Sequence, residues 1–107
     1  MGSRKALVIG IDYYQYPNYP SLHGCVNDAK AVAEVLETHA DGSPNFAVKL
    51  LTATTAEEAI RRKELKKYVS ELFADDNDIA LLYYAGHGNV EDTGGYLCSS
   101  ETEMGDE

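Results

Sequence analysis

The feature that most limits the fold of this chain is its alternation of short apolar runs with segments of helical periodicity. Residues 6–11 (ALVIGI), 46–51 (FAVKLL) and 79–84 (IALLYY) have the length and composition of strands, and the first is typical of a strand covered on both faces. Helical patterns separate them. The order strand, helix, strand, helix, strand is typical of parallel crossovers, so we predict an α/β fold with a doubly wound, mainly parallel sheet of about three strands and two helices.

Both helices have an apolar stripe and candidate start signals. The first is predicted to begin at Asn27 or Asp28 as its N-cap, and the second at a capping box formed by Thr55 and Glu58, with a turn or kink near Ile60. The stripe of the first helix consists of Ala29, Val32, Ala33 and Leu36. The stripe of the second helix consists of Leu65, Tyr68, Val69, Leu72 and Phe73.

Composition limits the partners and the compartment. The 107 residues suffice for one core, and the first three residues resemble an expression-vector remnant, so residues 4–107 are treated as one unit. A net charge of -9 argues against nucleic acid as a partner and is compatible with cationic ligands. We expect no membrane span, no signal peptide, free thiols and a cytoplasmic location.

The most informative motif is a histidine between two glycines at the end of the third apolar run. The segment AGHG places His87 between Gly86 and Gly88, and ligands of open parallel sheets bind beyond the carboxyl ends of the strands. The loop LHGCVNDA should reach the same rim and bring Cys25 and Asp28 near the histidine. A histidine in a turn is often only a solvated residue, so this neighbourhood is what favours a site.

Three segments in order resemble the N-terminal half of the caspase-like cysteine peptidases, most closely the metacaspases and their bacterial relatives. These segments are ALVIGIDYY, LHGCVNDA and LLYYAGHG with a following GGYL, and together they extend from about Lys5 to Leu97. The resemblance implies a caspase-like three-layer sandwich and cysteine endopeptidase activity on a peptide or protein substrate. It implies that His87 is the catalytic histidine, which protonates the leaving amine, and that the Gly88 N–H contributes to the oxyanion hole.

The resemblance also bears on substrate choice. Caspases that cut after aspartate carry an arginine at the position of Leu22, which cannot pair with a carboxylate. Metacaspases cut after arginine or lysine, and the resemblance assigns Cys25, Asp28 and Ala85 to the pocket for the residue before the cut. A carboxylate facing a guanidinium forms a strong bidentate pair, although Asp28 also suits a helix cap. Ala85 stands where the family has a serine.

The nucleophile that the family uses is not found in these residues. Family members carry it in an Asp-x-Cys segment after the next strand, and in caspases it follows the histidine by roughly 50 residues. Cys98 is interpreted as an ordinary small apolar residue. We therefore expect residues 4–107 to be the N-terminal part of a catalytic domain and inactive alone. The apolar edge of strand three would be covered by the rest of the domain or by a second copy.

Two other interpretations stay open. One is a catalytically silent caspase-like scaffold that binds a protein through the sheet edge or the tyrosine-rich loop 13–19. The other, a receiver or flavodoxin-like domain, lacks the expected acidic cluster or phosphate-binding loop after strand one. No cofactor or metal site is predicted. Calcium is only a weak candidate, because the downstream carboxylates do not match an EF-hand pattern. These are Asp92, Glu101, Glu103, Asp106 and Glu107.

Overall fold

A computed structural model describes residues 3–15, 19–74, 76–91, 94–97 and 100. These residues form five strands and two α-helices: β1 (Arg4–Ile11), α1 (Cys25–Glu37), β2 (Ala47–Ala53), α2 (Arg62–Ala74), β3 (Ile79–Ala85), β4 (Gly88–Glu91) and β5 (Gly94–Leu97). Neither of the described helices has the length and apolar character needed to cross a membrane. The predicted α/β fold is confirmed.

The main sheet has three parallel strands in the order β2, β1, β3. Strands β1 and β3 are neighbours, as predicted, and Gly10 lies opposite Ala85 in their register. In the described part of the chain, β3 pairs only with β1 and so forms one edge of this sheet. Strands β4 and β5 make a separate antiparallel hairpin that begins three residues after β3 ends.

The two helices cover opposite faces of the sheet, so the chain forms three layers. Side chains of a strand alternate between faces, which is why consecutive residues of β1 enter two different cores. On one face Ala6 and Val8 pack with Ala29 and Ala33 of α1. On the other face Leu7, Ile9 and Ile11 pack with Leu65 and Leu72 of α2. Phe73, predicted to face this core, is instead 57% exposed.

Helix α1 begins differently from the prediction. It starts at Cys25, and its N-cap is Gly24, which has no side chain with which to cap it. The carboxylate of Asp12, which directly follows β1, accepts the Cys25 N–H at 2.9 Å. The expectation that Asn27 or Asp28 caps the helix is therefore wrong, because an acceptor from a neighbouring strand end satisfies its first amide.

The start of α2 is also displaced. Residues Ala56–Glu58 form a single 3-10 turn, and no side-chain hydrogen bond of Thr55 caps it. The predicted turn near Ile60 is present, since α2 begins only at Arg62. The buried Ser100 holds this break, because its Oγ accepts the Ile60 N–H at 3.0 Å and its own N–H donates to the Ile60 carbonyl at 2.8 Å.

Gly10 allows α1 to approach the carboxyl end of β1 closely. A Cβ at this position would lie 2.6 Å from both the Ala29 Cβ and the Cys25 carbonyl oxygen. These neighbours belong to helix backbone and to a methyl group that cannot rotate away. The position of the first turn of α1, which carries Cys25, therefore depends on the absence of a side chain at Gly10.

We expect Gly10→Ala to lower the free energy of unfolding by about 1–3 kcal/mol, because overpacking forces the helix away from the strand. Urea titration followed by circular dichroism measures this change. Gly24→Ala is the matched control, since no atom lies within 4 Å of a Cβ there. Equal stability of Gly10→Ala and the unmodified chain would contradict the close packing.

Candidate active site

The carboxyl ends of β1 and β3 form one rim, and the predicted site lies along it. His87 is two residues beyond the end of β3, and Asp12 is one residue beyond the end of β1. Gly10 and Ala85 are partners in the parallel register, so these two strand ends are adjacent. The structure thus places His87 beside the end of the central strand.

The imidazole of His87 is half-buried and held on two sides. Its Nε2 lies 2.8 Å from the carbonyl oxygen of Pro20. Because a carbonyl only accepts, Nε2 carries the hydrogen, and the neutral ring accepts a proton only at Nδ1. The edge of the ring meets Tyr14 with ring centroids 4.6 Å apart, and Tyr19 lies at 5.5 Å.

Two tyrosine hydroxyls hold the backbone of His87. The Tyr14 hydroxyl accepts the His87 N–H at 2.6 Å, and the Tyr84 hydroxyl donates to the His87 carbonyl at 2.7 Å. The two hydroxyl oxygens are 3.1 Å apart. A Cβ on Gly86 would lie 2.5 Å and 2.7 Å from these oxygens, so the glycine before the histidine makes room for them.

Cys25 lies in an electrostatic environment that disfavours its thiolate. Its side chain is half-buried at the start of α1, with the buried carboxylate of Asp12 beside it. Burial raises the pKa of the Cys25 thiol, and the negative charges of Asp12 and Asp28 raise this pKa further. Reactive cysteines have a lowered pKa, so this thiol has the properties of a structural residue.

The remaining predicted residues lie on the same rim. Asp28 is exposed in the first turn of α1, where its charge is favourable near the positive end of the helix dipole. Ala85 ends β3, and Gly88 begins β4. His87 and Cys25 make separate sets of contacts, the first with tyrosines and Pro20 and the second with Asp12. Cys98 lies outside the described residues.

An open depression of about 440 Å³ lies beside the end of β1. It is lined by Asp12, Ser21, Leu22, His23, Val26, Asn27, Lys30 and Thr54. Among the described residues, neither Cys25 nor Asp28 lines it. This depression therefore adjoins the predicted substrate pocket and does not coincide with it.

Metal binding has no candidate in the part of the chain that the structure describes. No three histidine, cysteine, aspartate or glutamate side chains come together there as a metal site requires. The carboxylates considered for calcium, Asp92, Glu101, Glu103, Asp106 and Glu107, lie outside the described residues. No residue of the site is therefore assigned to a metal.

Sequence reasoning missed four residues of the site. Asp12 was detectable as a polar residue directly after a buried strand, a position typical of binding sites in parallel sheets. Tyr14 belongs to the tyrosine-rich loop and Tyr84 to the segment LLYYAGHG, yet nothing in their spacing along the chain predicts that their hydroxyl groups meet. The carbonyl of Pro20 left no signal, because backbone acceptors are common to all residues.

Comparison with known proteins places the chain in a family. The family model described as the caspase domain matches residues 3–105. Metacaspase-1 of Candida glabrata is 33% identical over 93 residues, covering 81% of this chain and 22% of that protein. Metacaspase-1 of Scheffersomyces stipitis is 33% identical over 95 residues, covering 83% of this chain and 22% of that protein.

Metacaspase-1A of Neurospora crassa is 34% identical over 98 residues, covering 88% of this chain and 21% of that protein. No solved structure gives a significant match. The chain spans roughly a fifth of the length of these curated relatives, at 22%, 22% and 21%. Since the caspase-domain match covers almost all of the chain and its fold has the predicted parallel sheet, this chain belongs to the caspase domain family.

Proposed function

We propose that this chain forms the histidine-bearing part of a cysteine endopeptidase, with His87 as the residue that transfers the proton. Membership of the caspase family supports the class of enzyme. The observation that carries the proposal is the bond between the His87 Nε2 and the Pro20 carbonyl at 2.8 Å. This bond sets the tautomer and leaves Nδ1 as the nitrogen that gains and loses a proton.

The reaction follows from this arrangement. A cysteine thiolate attacks the scissile carbonyl carbon, a bond from sulfur to carbon forms, and negative charge develops on the carbonyl oxygen. The Gly88 N–H stabilises that oxygen. His87, which has taken the proton of the cysteine thiol at Nδ1, then gives this proton to the leaving nitrogen as the carbon–nitrogen bond breaks. Water later hydrolyses the thioester, again with His87 as the proton carrier.

The nucleophile in this proposal is not Cys25. Burial and the charges of Asp12 and Asp28 raise the pKa of the Cys25 thiol, whereas attack needs a thiolate near neutral pH. The contacts of Cys25 are also separate from those of His87. The proposed nucleophile is the cysteine of an Asp-x-Cys segment outside these residues, as the family resemblance implies.

The proposed substrates are peptides cleaved after arginine or lysine. Asp28 presents an exposed carboxylate on the rim, and a carboxylate binds a guanidinium through two parallel hydrogen bonds. Leu22 packs against the core and offers no positive charge to an acidic substrate. The net charge of -9 is favourable for cationic substrates. Cys25 and Ala85 would form the walls of this pocket.

The second candidate function is that of a catalytically silent scaffold that binds a protein partner. The edge strand β3 favours it, because a partner could bind there. An apolar groove of about 420 Å³ lies between α2 and this strand, lined by Leu65, Lys66, Val69, Ser70 and Leu82. The tyrosine-rich loop supports this candidate less, because Tyr14 and Tyr19 are buried in the core. A scaffold of this kind needs no proton transfer at position 87.

We expect His87→Ala to lower kcat for a peptide reporter with arginine before the cleaved bond by at least about 100-fold, because general acid–base catalysis contributes about 10²–10⁴-fold. The assay uses the chain together with the cysteine-bearing segment of its gene product. His39→Ala is the matched control, since His39 is exposed and its ring nitrogen contacts Arg4 at 3.4 Å. An unchanged rate in His87→Ala contradicts the catalytic role of His87. The absence of cleavage by the unmodified protein, or of an Asp-x-Cys segment in its gene product, contradicts the peptidase and favours the scaffold.

We expect iodoacetamide to modify Cys25 slowly at pH 7 and faster as the pH rises, because the pKa of this thiol is raised and only the thiolate reacts. Asp12→Asn removes one cause of the raised pKa while keeping an acceptor for the Cys25 N–H, so the rate at pH 7 should increase. Mass spectrometry of the peptide that contains Cys25 measures the rate.

Asp41→Asn is the matched control for this measurement. It removes the same charge in the loop after α1, where the hydrogen bonds of Asp41 to the described residues go to Ser43 in its own turn. We expect it to leave the rate at Cys25 unchanged. Rapid modification of Cys25 at pH 7 in the unmodified chain would contradict the structural role and make this thiol a candidate nucleophile.

A further inference from the structure

We propose that Tyr14 and Tyr84 are positioning residues that fix the peptide between His87 and Gly88, so that the imidazole and the Gly88 N–H act on the same reacting group. This inference rests on the proposed function, in which both groups take part in peptide cleavage. It assigns roles to two side chains through their hydrogen bonds to the His87 backbone. Their action is on the backbone of the catalytic turn.

The directions of the hydrogen bonds form a closed ring. The His87 N–H donates to the Tyr14 oxygen at 2.6 Å, and the Tyr84 hydroxyl donates to the His87 carbonyl at 2.7 Å. Because the single proton of Tyr84 is used in that bond, the 3.1 Å contact between the hydroxyls requires Tyr14 as the donor. In this assignment each of the two hydroxyl protons has an acceptor within the ring, and hydrogen bonds linked in this way strengthen one another.

The bond to the His87 carbonyl also sets the direction of the Gly88 N–H. These two groups belong to one peptide plane, and in a trans peptide they point in opposite directions. No peptide bond is cis in the described residues. The Tyr84 hydroxyl therefore aims the amide of Gly88 by holding the carbonyl of His87. A preorganised donor of this kind stabilises developing charge without reorganising during the reaction.

The ring joins the catalytic turn to both strands of the rim. Tyr14 lies three residues beyond β1 and is 5% exposed, whereas Tyr84 is part of β3. The next residue after Tyr14, Gln15, donates its N–H to the carbonyl of the buried Ser100 at 2.7 Å, which fixes the loop on its other side. Gly86 is the residue that lets both hydroxyls reach the backbone. A turn held from two strands has little freedom to reorient.

The aromatic ring of Tyr14 adds a second constraint, on the imidazole itself. The two rings meet edge to face at 67° with centroids 4.6 Å apart. Together with the Pro20 carbonyl, this contact limits rotation of the His87 side chain. Tyr14 therefore positions the histidine through its ring and its hydroxyl, and Tyr84 positions the amide through its hydroxyl.

Removal of single hydroxyl groups tests the proposal. In ¹⁵N-labelled chain, we expect Tyr84→Phe to shift the amide resonances of His87 and Gly88, and Tyr14→Phe to shift that of His87 and speed its hydrogen exchange. Tyr83→Phe is the matched control, because Tyr83 packs on the opposite face of the sheet with the α1 core. Thermal unfolding shows whether each variant keeps the fold. Shifts no larger than those of Tyr83→Phe would overturn the proposal.

The unmodified chain supplies a second test that does not depend on any variant. A slowly exchanging hydroxyl proton on Tyr84, with a nuclear Overhauser effect to Tyr14 or His87, supports the ring. Exchange of the His87 N–H as fast as in an unfolded peptide overturns it. These two outcomes decide the matter even if a phenylalanine variant fails to fold.

Kinetics with the cysteine-bearing segment separate this proposal from the proposed function. We expect Tyr84→Phe to lower kcat about tenfold with KM unchanged, less than the roughly 10²–10³-fold loss on removing an oxyanion donor. Wild-type kcat in Tyr84→Phe, where His87→Ala is inactive, overturns the positioning role and leaves the peptidase standing. If the amide resonances shift in the tyrosine variants but His87→Ala leaves the activity unchanged, the catalytic role of His87 is overturned and the ring only holds the turn.

Discussion

The parallel pairing of β1 with β3 is the constraint on which the rest of the structure depends. It brings the ends of two buried strands side by side, with Gly10 opposite Ala85, although 74 residues separate these positions along the chain. The contacts of His87 in the candidate site follow from that adjacency. Tyr14 meets Tyr84 and His87 across it, and the loop from Pro20 to Cys25 closes over it. The cores on both faces hold the pairing in place.

The rim gives two titratable groups opposite surroundings. His87 is held by the Pro20 carbonyl, which fixes its tautomer and leaves Nδ1 without a hydrogen, and by the ring of Tyr14. Cys25 lies beside carboxylates, and burial together with the negative charges of Asp12 and Asp28 raises the pKa of its thiol. The proposed peptidase therefore takes its nucleophile from a segment other than the one that carries Cys25. The family resemblance implies such a cysteine on a later segment.

Much of this fold follows from the sequence, because its signals are local. Strand composition and helical periodicity predict the three parallel strands, both helices and the neighbouring positions of β1 and β3. The predicted helix starts were wrong because groups distant in sequence set them. Asp12 accepts the first amide of α1, and Ser100 holds the break before α2. Phe73 has the spacing of a core residue, but it lies at the end of α2 and is 57% exposed.

Only the part of the site that lies within a sequence motif could be predicted. The histidine between glycines identifies the rim, but the reason for Gly86 is a pair of hydroxyls from residues 14 and 84. Contacts of this kind arise between segments and leave no periodic pattern in the chain. The same holds for the acceptor at Pro20, whose side chain plays no part in the bond. The site therefore depends on hydrogen bonds between segments distant in sequence, which the residue types alone do not predict.

The central claim is that the His87 ring is fixed at the sheet rim with its Nε2 donating to a backbone carbonyl. The most direct test is the ¹⁵N chemical shifts of its two ring nitrogens, measured at a pH where the imidazole is neutral. The account predicts a protonated Nε2 and a bare Nδ1. A protonated Nδ1 with a bare Nε2, or rapid averaging of the two tautomers as in a solvated histidine, would contradict it.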